Sequence, residues 1–203
     1  MDLVCLDLEG VLIPEIWINF AEKTGIEELK LTTRDIPDYD VLMTKRLGIL
    51  EEHGLGIEGI EEVVSDMDPM EGAREFLDEL QKDFQVIILS DTFYEFGLPL
   101  VRKLGNPTLF CHKLKISDAG KIEDYIIRID DPKRRAVKAF HDLNYKVIAA
   151  GDSYNDTNML SEADAGILFK APANVIEEFP QFPSVNEYPE LLSEIQKAAA
   201  QLA

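Results

Sequence analysis

Positive charge is in short supply in this sequence. Its 20 lysines and arginines face 39 aspartates and glutamates, for a net charge of −19. A field of that sign repels nucleic acid and anionic membrane surfaces, so neither is an expected partner. A phosphorylated ligand would need a local cationic site working against the whole protein. Cysteine is scarcer still: Cys5 and Cys111 sit far apart in apolar runs, which fits reduced core thiols rather than a disulfide framework or a zinc cluster. His53, His112 and His141 lack metal-ligand spacing and are assigned no chemistry. No apolar stretch approaches the ~18 residues of a membrane span. The opening MDLVCLDLEG carries no basic run of the secretory kind, and no repeat or low-complexity linker interrupts the chain. The expectation is a cytoplasmic protein of one globular domain, with 46% hydrophobic residues among 203 to build its core and room for an insertion.

Short apolar runs recur along that domain: LVCL at 3–6, FQVIIL at 84–89, TLFC at 108–111, KVIAA at 146–150 and AGILF at 165–169. Helical patterns lie between them. In EGAREFLDELQK, Ala73, Phe76, Leu77 and Leu80 share one face; in KRRAVKAFHDL, Ala136, Phe140 and Leu143 do. This alternation predicts an α/β fold, a Rossmann-like three-layer parallel sheet covered on both faces. Residues 14–70 break the rhythm. They show two helical stripes, Tyr39, Leu42, Met43, Leu47 and Leu50, then Ile57, Ile60, Val64 and Met67, and no clear strand. They read as a small helical cap inserted into a core of residues 1–13 and 71–203. The segment HKLKISDAGKIEDYIIRIDD reads as a β-hairpin turning at SDAGK. The tail is proline-punctuated and ends in one helix.

The polar ends of three strands carry the chemistry: LDLEG, ILSDT and AAGDSYND. In an open parallel sheet ligands bind beyond the carboxyl ends of the strands, so Asp7, Glu9, Ser90, Asp91, Asp152, Asn155 and Asp156 should meet in one crevice. Carboxylates gathered there raise one another's pKa values unless a cation neutralises them, and all-oxygen ligation suits Mg²⁺. Taken singly, each motif is most often a helix cap or a turn former. Three in this chain order point to a magnesium-dependent phosphoryl site. Lys133 in DDPKRR, judged by charge alone, is a solvated lysine beside Arg134 and Arg135. Arg46 lies inside an apolar stripe, where a charge needs an anion or faces a cleft; a salt bridge within the protein, with Glu15 for instance, would also satisfy it.

These motifs resemble those of the haloacid dehalogenase-like phosphotransferases. The DxDx[TV] form stands here as Asp7-Leu8-Glu9-Gly10-Val11, the serine after a strand as Ser90, the lysine as Lys133, and the GDSxND form as Gly151 to Asp156. Longer stretches, LDLEGVLIPEIW, TTRDIPDYDVLM, ILSDTFYEF, GDSYNDT and EFPQFP, make nearly the whole chain similar to phosphoserine phosphatases, and more so to the bifunctional phosphoserine phosphatase/homoserine phosphotransferases. The resemblance implies that Asp7 is a nucleophile forming an aspartyl-phosphate. It implies Mg²⁺ held by Asp7, the backbone carbonyl of Glu9 and Asp152, with Asn155 and Asp156 ordering that shell. Ser90, Asp91, Asn155 and Lys133 would hold the substrate's phosphoryl end, Arg46 its carboxylate and Glu15 its ammonium. Glu9 departs from the family pattern, which usually has Asp there as the proton donor and acceptor. The longer acid is expected to leave the phospho-enzyme open to an alcohol as well as to water. The implied partners are phosphoserine and homoserine, and the resemblance leaves room for a homodimer. Two rivals stay open: a phosphatase for another small phosphorylated metabolite, and a phosphoacceptor signalling receiver.

Overall fold

The computed structural model describes residues 1–32, 35–36 and 39–203. Its strands are β1 (Asp2–Leu6), β2 (Gln85–Phe93), β3 (Thr108–Ile116), β4 (Ile122–Ile126), β5 (Lys146–Gly151), β6 (Ala165–Phe169) and β7 (Ser184–Val185). They form one seven-stranded sheet in the order β4-β3-β2-β1-β5-β6-β7, in which β4 alone runs antiparallel to its neighbour. Side-chain alternation divides the sheet into two covered faces. Leu3 and Cys5 of β1 and Val147 and Ala149 of β5 pack with α6 (Pro132–Asp142), α7 (Thr157–Glu162) and α8 (Ala173–Glu178). Val4, Leu6, Ile148 and Ala150 pack on the other side with α4 (Ala73–Leu80), α5 (Tyr94–Lys103) and α9 (Tyr188–Leu202). Both cysteines are free and buried, as core thiols should be. The α/β expectation therefore holds, and among the described residues no helix is long and apolar enough to cross a membrane.

Between β1 and α4 lie α1 (Ile16–Thr24), a 3-10 turn (Glu27–Lys30), α2 (Tyr39–Glu52) and α3 (Ile57–Asp66). Their apolar stripes do not form a separate core. Ile16, Phe20, Met43, Leu50, Ile60 and Val64 join the same cluster as Phe93 and Phe96 at the end of β2 and the start of α5. Two sequence boundaries move. The strand expected to end at Leu89 continues through Ser90 and Asp91 to Phe93, with its pairing to β3 shifting register between Leu89 and Phe93. The strand expected at TLFC does not stop at Cys111 but becomes the first arm of the hairpin, exchanging a parallel partner for the antiparallel β4. Its turn falls on SDAGK, closed by the Lys121 carbonyl accepting from Ser117 N–H at 2.9 Å. That hairpin reaches back to the helices: Ile57 N–H donates to the Gly120 carbonyl at 2.9 Å, and Tyr125 O–H donates to Asp40 at 2.5 Å.

Candidate active site

β2, β1 and β5 are neighbours at the centre of the sheet, so their carboxyl ends open on one side. Asp7 follows β1, its N–H donating to Ala150 on β5 at 3.0 Å. Asp152 follows β5, and Ser90 and Asp91 occupy the irregular stretch of β2. Lys133 is the second residue of α6, behind Pro132, an ordinary first helical residue. Together with Glu9, Glu15, Arg46 and Asn155 they line one cleft of about 910 Å³. All nine residues expected to act on substrate or metal therefore line a common space.

At its floor, carboxylate oxygens of Asp7, Asp152 and Asp156 lie within 4.8 Å of one another. Lys133, only 3% exposed, sits among them, its ammonium 2.8 Å from Asp7, 2.7 Å from Asp156 and 3.4 Å from Asp91. A cation at a helix N-terminus opposes the helix dipole, and its complete burial answers the surface reading that charge alone suggested. Burial works against the Lys133 charge, but Asp156, Asp7 and Asp91 more than offset it and hold its pKa well above the usual lysine range. Asp7 is pushed well above the usual carboxylate range by burial, then by Asp156 and Asp152, against the pull of Lys133. One ammonium does not balance this crowd. Both oxygens of Asp156 are engaged, one by Lys133 and the other by the N–H groups of Asp152 and Ser153 at 3.0 and 3.1 Å, so Asp156 orders the loop. Asp7 and Asp152 bring carboxylate oxygens to the same point, where they could ligate a cation. Gly10 leaves room for them: with φ +78, a Cβ there would meet the Asp152 carboxylate at 2.6 Å. This donor set and its cradle fit a hard divalent cation such as Mg²⁺.

The other wall is shaped by the turn that follows β1. Gly10 N–H donates to Ile13 and Ile13 N–H to Leu8, at 2.8 and 3.0 Å, which folds Glu9 back toward α1. There its carboxylate accepts the Ile16 N–H at 3.0 Å. Burial, then Glu15, push the Glu9 pKa up to about 8 against Ile16, Arg46 and Lys133. That direction favours the protonated acid over the carboxylate. Arg46 is 7% exposed. It donates to the Leu31 carbonyl at 2.7 Å and stacks on Trp17 at 4.5 Å, while its buried Nε has no hydrogen-bond partner among the described residues. Burial lowers its pKa to about 10, with Glu9, Tyr39 and Glu15 opposing, so it stays charged. A fixed guanidinium with a vacant donor, at the top of a cleft, suits a carboxylate.

Residues 1–164 match the family described as haloacid dehalogenase-like hydrolase. The chain belongs to that family. It is similar to phosphoserine phosphatase ThrH of Pseudomonas aeruginosa, 64% identical over 98% of both chains. It is also similar to a phosphoserine phosphatase of Pseudomonas syringae pv. tomato, 62% identical over 98% of this chain and 84% of the relative. Among solved structures, one described as a phospho-aspartyl intermediate analogue of phosphoserine phosphatase superposes with a TM-score of 0.76 at 22% identity, covering 95% of this chain and 98% of that one.

In this haloacid dehalogenase-like hydrolase three further residues touch site residues without having been singled out. Tyr39, read as one apolar stripe position, donates its hydroxyl to the Asp91 carbonyl at 3.1 Å. Trp17 carries the Arg46 guanidinium. His112, assigned no chemistry, is buried beside Asp91, its Nε2 3.8 Å from the carboxylate and its Nδ1 accepting the Arg128 N–H at 3.2 Å. Burial, chiefly, lowers its pKa, with Asp91 opposing. A hydroxyl within an apolar stripe was the only local sign of Tyr39; the other two depend on contacts between distant elements.

Proposed function

We propose that this hydrolase is a Mg²⁺-dependent phosphoserine phosphatase that works through an aspartyl-phosphate on Asp7 and also transfers the phosphoryl group to homoserine. The observation that carries this reading is that Asp7, held 2.8 Å from Lys133, shares one cleft with a second acid, Glu9, whose pKa burial raises to about 8. Asp7 attacks phosphorus and the bond to the seryl oxygen breaks, that oxygen taking the Glu9 proton. Glu9, now a carboxylate, takes a proton from water or from the homoserine hydroxyl as that oxygen attacks the phosphoryl group and frees Asp7. Lys133, Ser90 and the neighbouring N–H groups, Asp91's among them, hold the phosphoryl oxygens, and Asn155 completes that end of the site. Asp7, the Glu9 carbonyl and Asp152 would hold Mg²⁺, which offsets the repulsion between the Asp7 carboxylate and the phosphate when bound. Arg46 takes the substrate carboxylate and Glu15 its ammonium. On this reading residues 14–70 are the substrate-selecting cap, the rest is the phosphotransferase core, and the enzyme works in the cytoplasm. The names of the two similar pseudomonad proteins, and the aspartyl chemistry in the description of the solved structure, support it.

Incubation with phosphoserine and Mg²⁺, with and without homoserine, tests it directly: inorganic phosphate should appear in both, and phosphohomoserine in the second. Phosphate alone would leave a hydrolase, and turnover of another ester in place of phosphoserine would move the assignment to a different metabolite. Glu9→Asp should shift the ratio of transfer to hydrolysis; an unchanged ratio would sink the role given to the longer acid. The pH dependence follows from the same residue. Since Glu9 must begin protonated, kcat/KM for phosphoserine should fall as pH rises through about 8, and Glu9→Gln should remove that limb from the profile. Stability carries the same sign. A carboxyl with a raised folded pKa contributes stability that is complete below its unfolded value and is lost as pH climbs through the folded one.

A further inference from the structure

We propose that Tyr188 is a positioning residue for the reaction, its hydroxyl fixing, through the carbonyl of Val11, the turn that carries Glu9. The inference rests on the acid–base role given to Glu9 above. Tyr188 O–H donates to the Val11 carbonyl at 2.7 Å, a buried bond joining residues 177 apart in sequence. Val11 itself is fully buried, so no solvent can replace that donor. The turn is braced at the next residue too, where Met70 N–H donates to the Leu12 carbonyl at 2.9 Å. These two bonds hold, from outside, the loop between Leu8 and Ile13 whose own bonds aim Glu9 at the cleft.

The tyrosine is itself immobilised. Its ring stacks with Phe76 of α4 and with Phe169 at the end of β6, each centroid 5.0 Å away. Gly72, at φ +83, passes so near that a Cβ would lie 3.3 Å from the Tyr188 ring. Packing alone would be served by phenylalanine, as in both neighbours; only the hydroxyl reaches Val11. The support therefore comes from the rigid sheet side of the molecule and not from α1, α2 or α3. A Glu9 carboxyl displaced by a fraction of an ångström delivers its proton poorly to the departing oxygen.

The test compares two phosphate esters in wild type, Tyr188→Phe and Glu9→Gln. Phosphoserine releases an alkoxide that needs a proton, whereas p-nitrophenyl phosphate releases a phenolate that departs without one. The kcat/KM of each ester reports the steps up to cleavage of its phosphorus–oxygen bond. Tyr188→Phe should lower kcat/KM for phosphoserine about tenfold and leave p-nitrophenyl phosphate within about twofold. Amide exchange at Gly10 and Ile13, whose N–H groups close the turn, should quicken in the same variant. Equal losses on both esters would mean general damage and overturn the proposal, as would no loss on either or unaltered exchange. Glu9→Gln separates the two levels. If it shows the ester selectivity and Tyr188→Phe does not, the tyrosine proposal alone falls; if Glu9→Gln lacks the selectivity, the acid–base reading fails and the proposal falls with it.

Discussion

Asp7→Asn is expected to silence the enzyme, with turnover of phosphoserine lower by on the order of 10⁴-fold or more, while the variant melts no lower than wild type. The two halves have one cause. The Asp7 carboxylate is forced into a buried site shared with Asp152 and Asp156, where its charge is costly to the fold and, on the proposed mechanism, needed for attack on phosphorus. The amide keeps the shape, removes a charge from that crowd and cannot form the acyl phosphate. Functional carboxylates held against their own electrostatics commonly show this trade. Calorimetry beside a phosphate-release assay checks both halves, and undiminished turnover in a folded Asp7→Asn protein would end the aspartyl-phosphate account.

Lys133→Met should do the opposite to stability and as much harm to activity. The methionine fills the space of the stem but leaves Asp7, Asp156 and Asp91 without the ammonium that lies 2.7 to 3.4 Å from them. Breaking a buried pair in this way costs about 3–5 kcal/mol, and loss of the cation that the proposed mechanism sets against the phosphoryl oxygens should cost kcat about 10³-fold. The pH dependence gives the cause away. In wild type the Lys133 pKa is raised, so its contribution is intact below the unfolded lysine value and disappears only as pH rises through the folded one. In the variant Asp7, already pushed up by burial, loses the ammonium that pulls it down. The folded state then binds more protons than the unfolded chain, and stability should recover as pH is lowered toward the ordinary carboxylate range. Urea melts across that range would show it; a pH-independent loss would point to packing instead of charge.

The centre of this site could be read from the sequence because its parts are short and contiguous. DLEGV, LSD and GDSYND each follow an apolar run, and a parallel sheet brings such ends together whatever lies between them. Lys133 needed the order of the motifs, since DDPKRR by itself looks like surface. What escaped has a different character. The apolar run TLFC ends at Cys111, but no turn residue marks the place where β3 exchanges β2 for β4, and the backbone simply continues. His112 and Trp17 act through neighbours from other elements, and no local pattern encodes which neighbour that will be. Tyr188 lies in a tail whose residues looked like linker and helix.

The placing of β1 has a consequence for synthesis. It pairs with β2 on one side and with β5 on the other, and β5 begins only at Lys146. While a nascent chain is still shorter than that, one flank of its most apolar strand has no native mate, and unpaired flanks of this kind recruit strands from other polypeptides. Premature termination before Lys146 should therefore yield aggregates and not a truncated catalyst, because the same late segment that shields β1 also delivers Asp152.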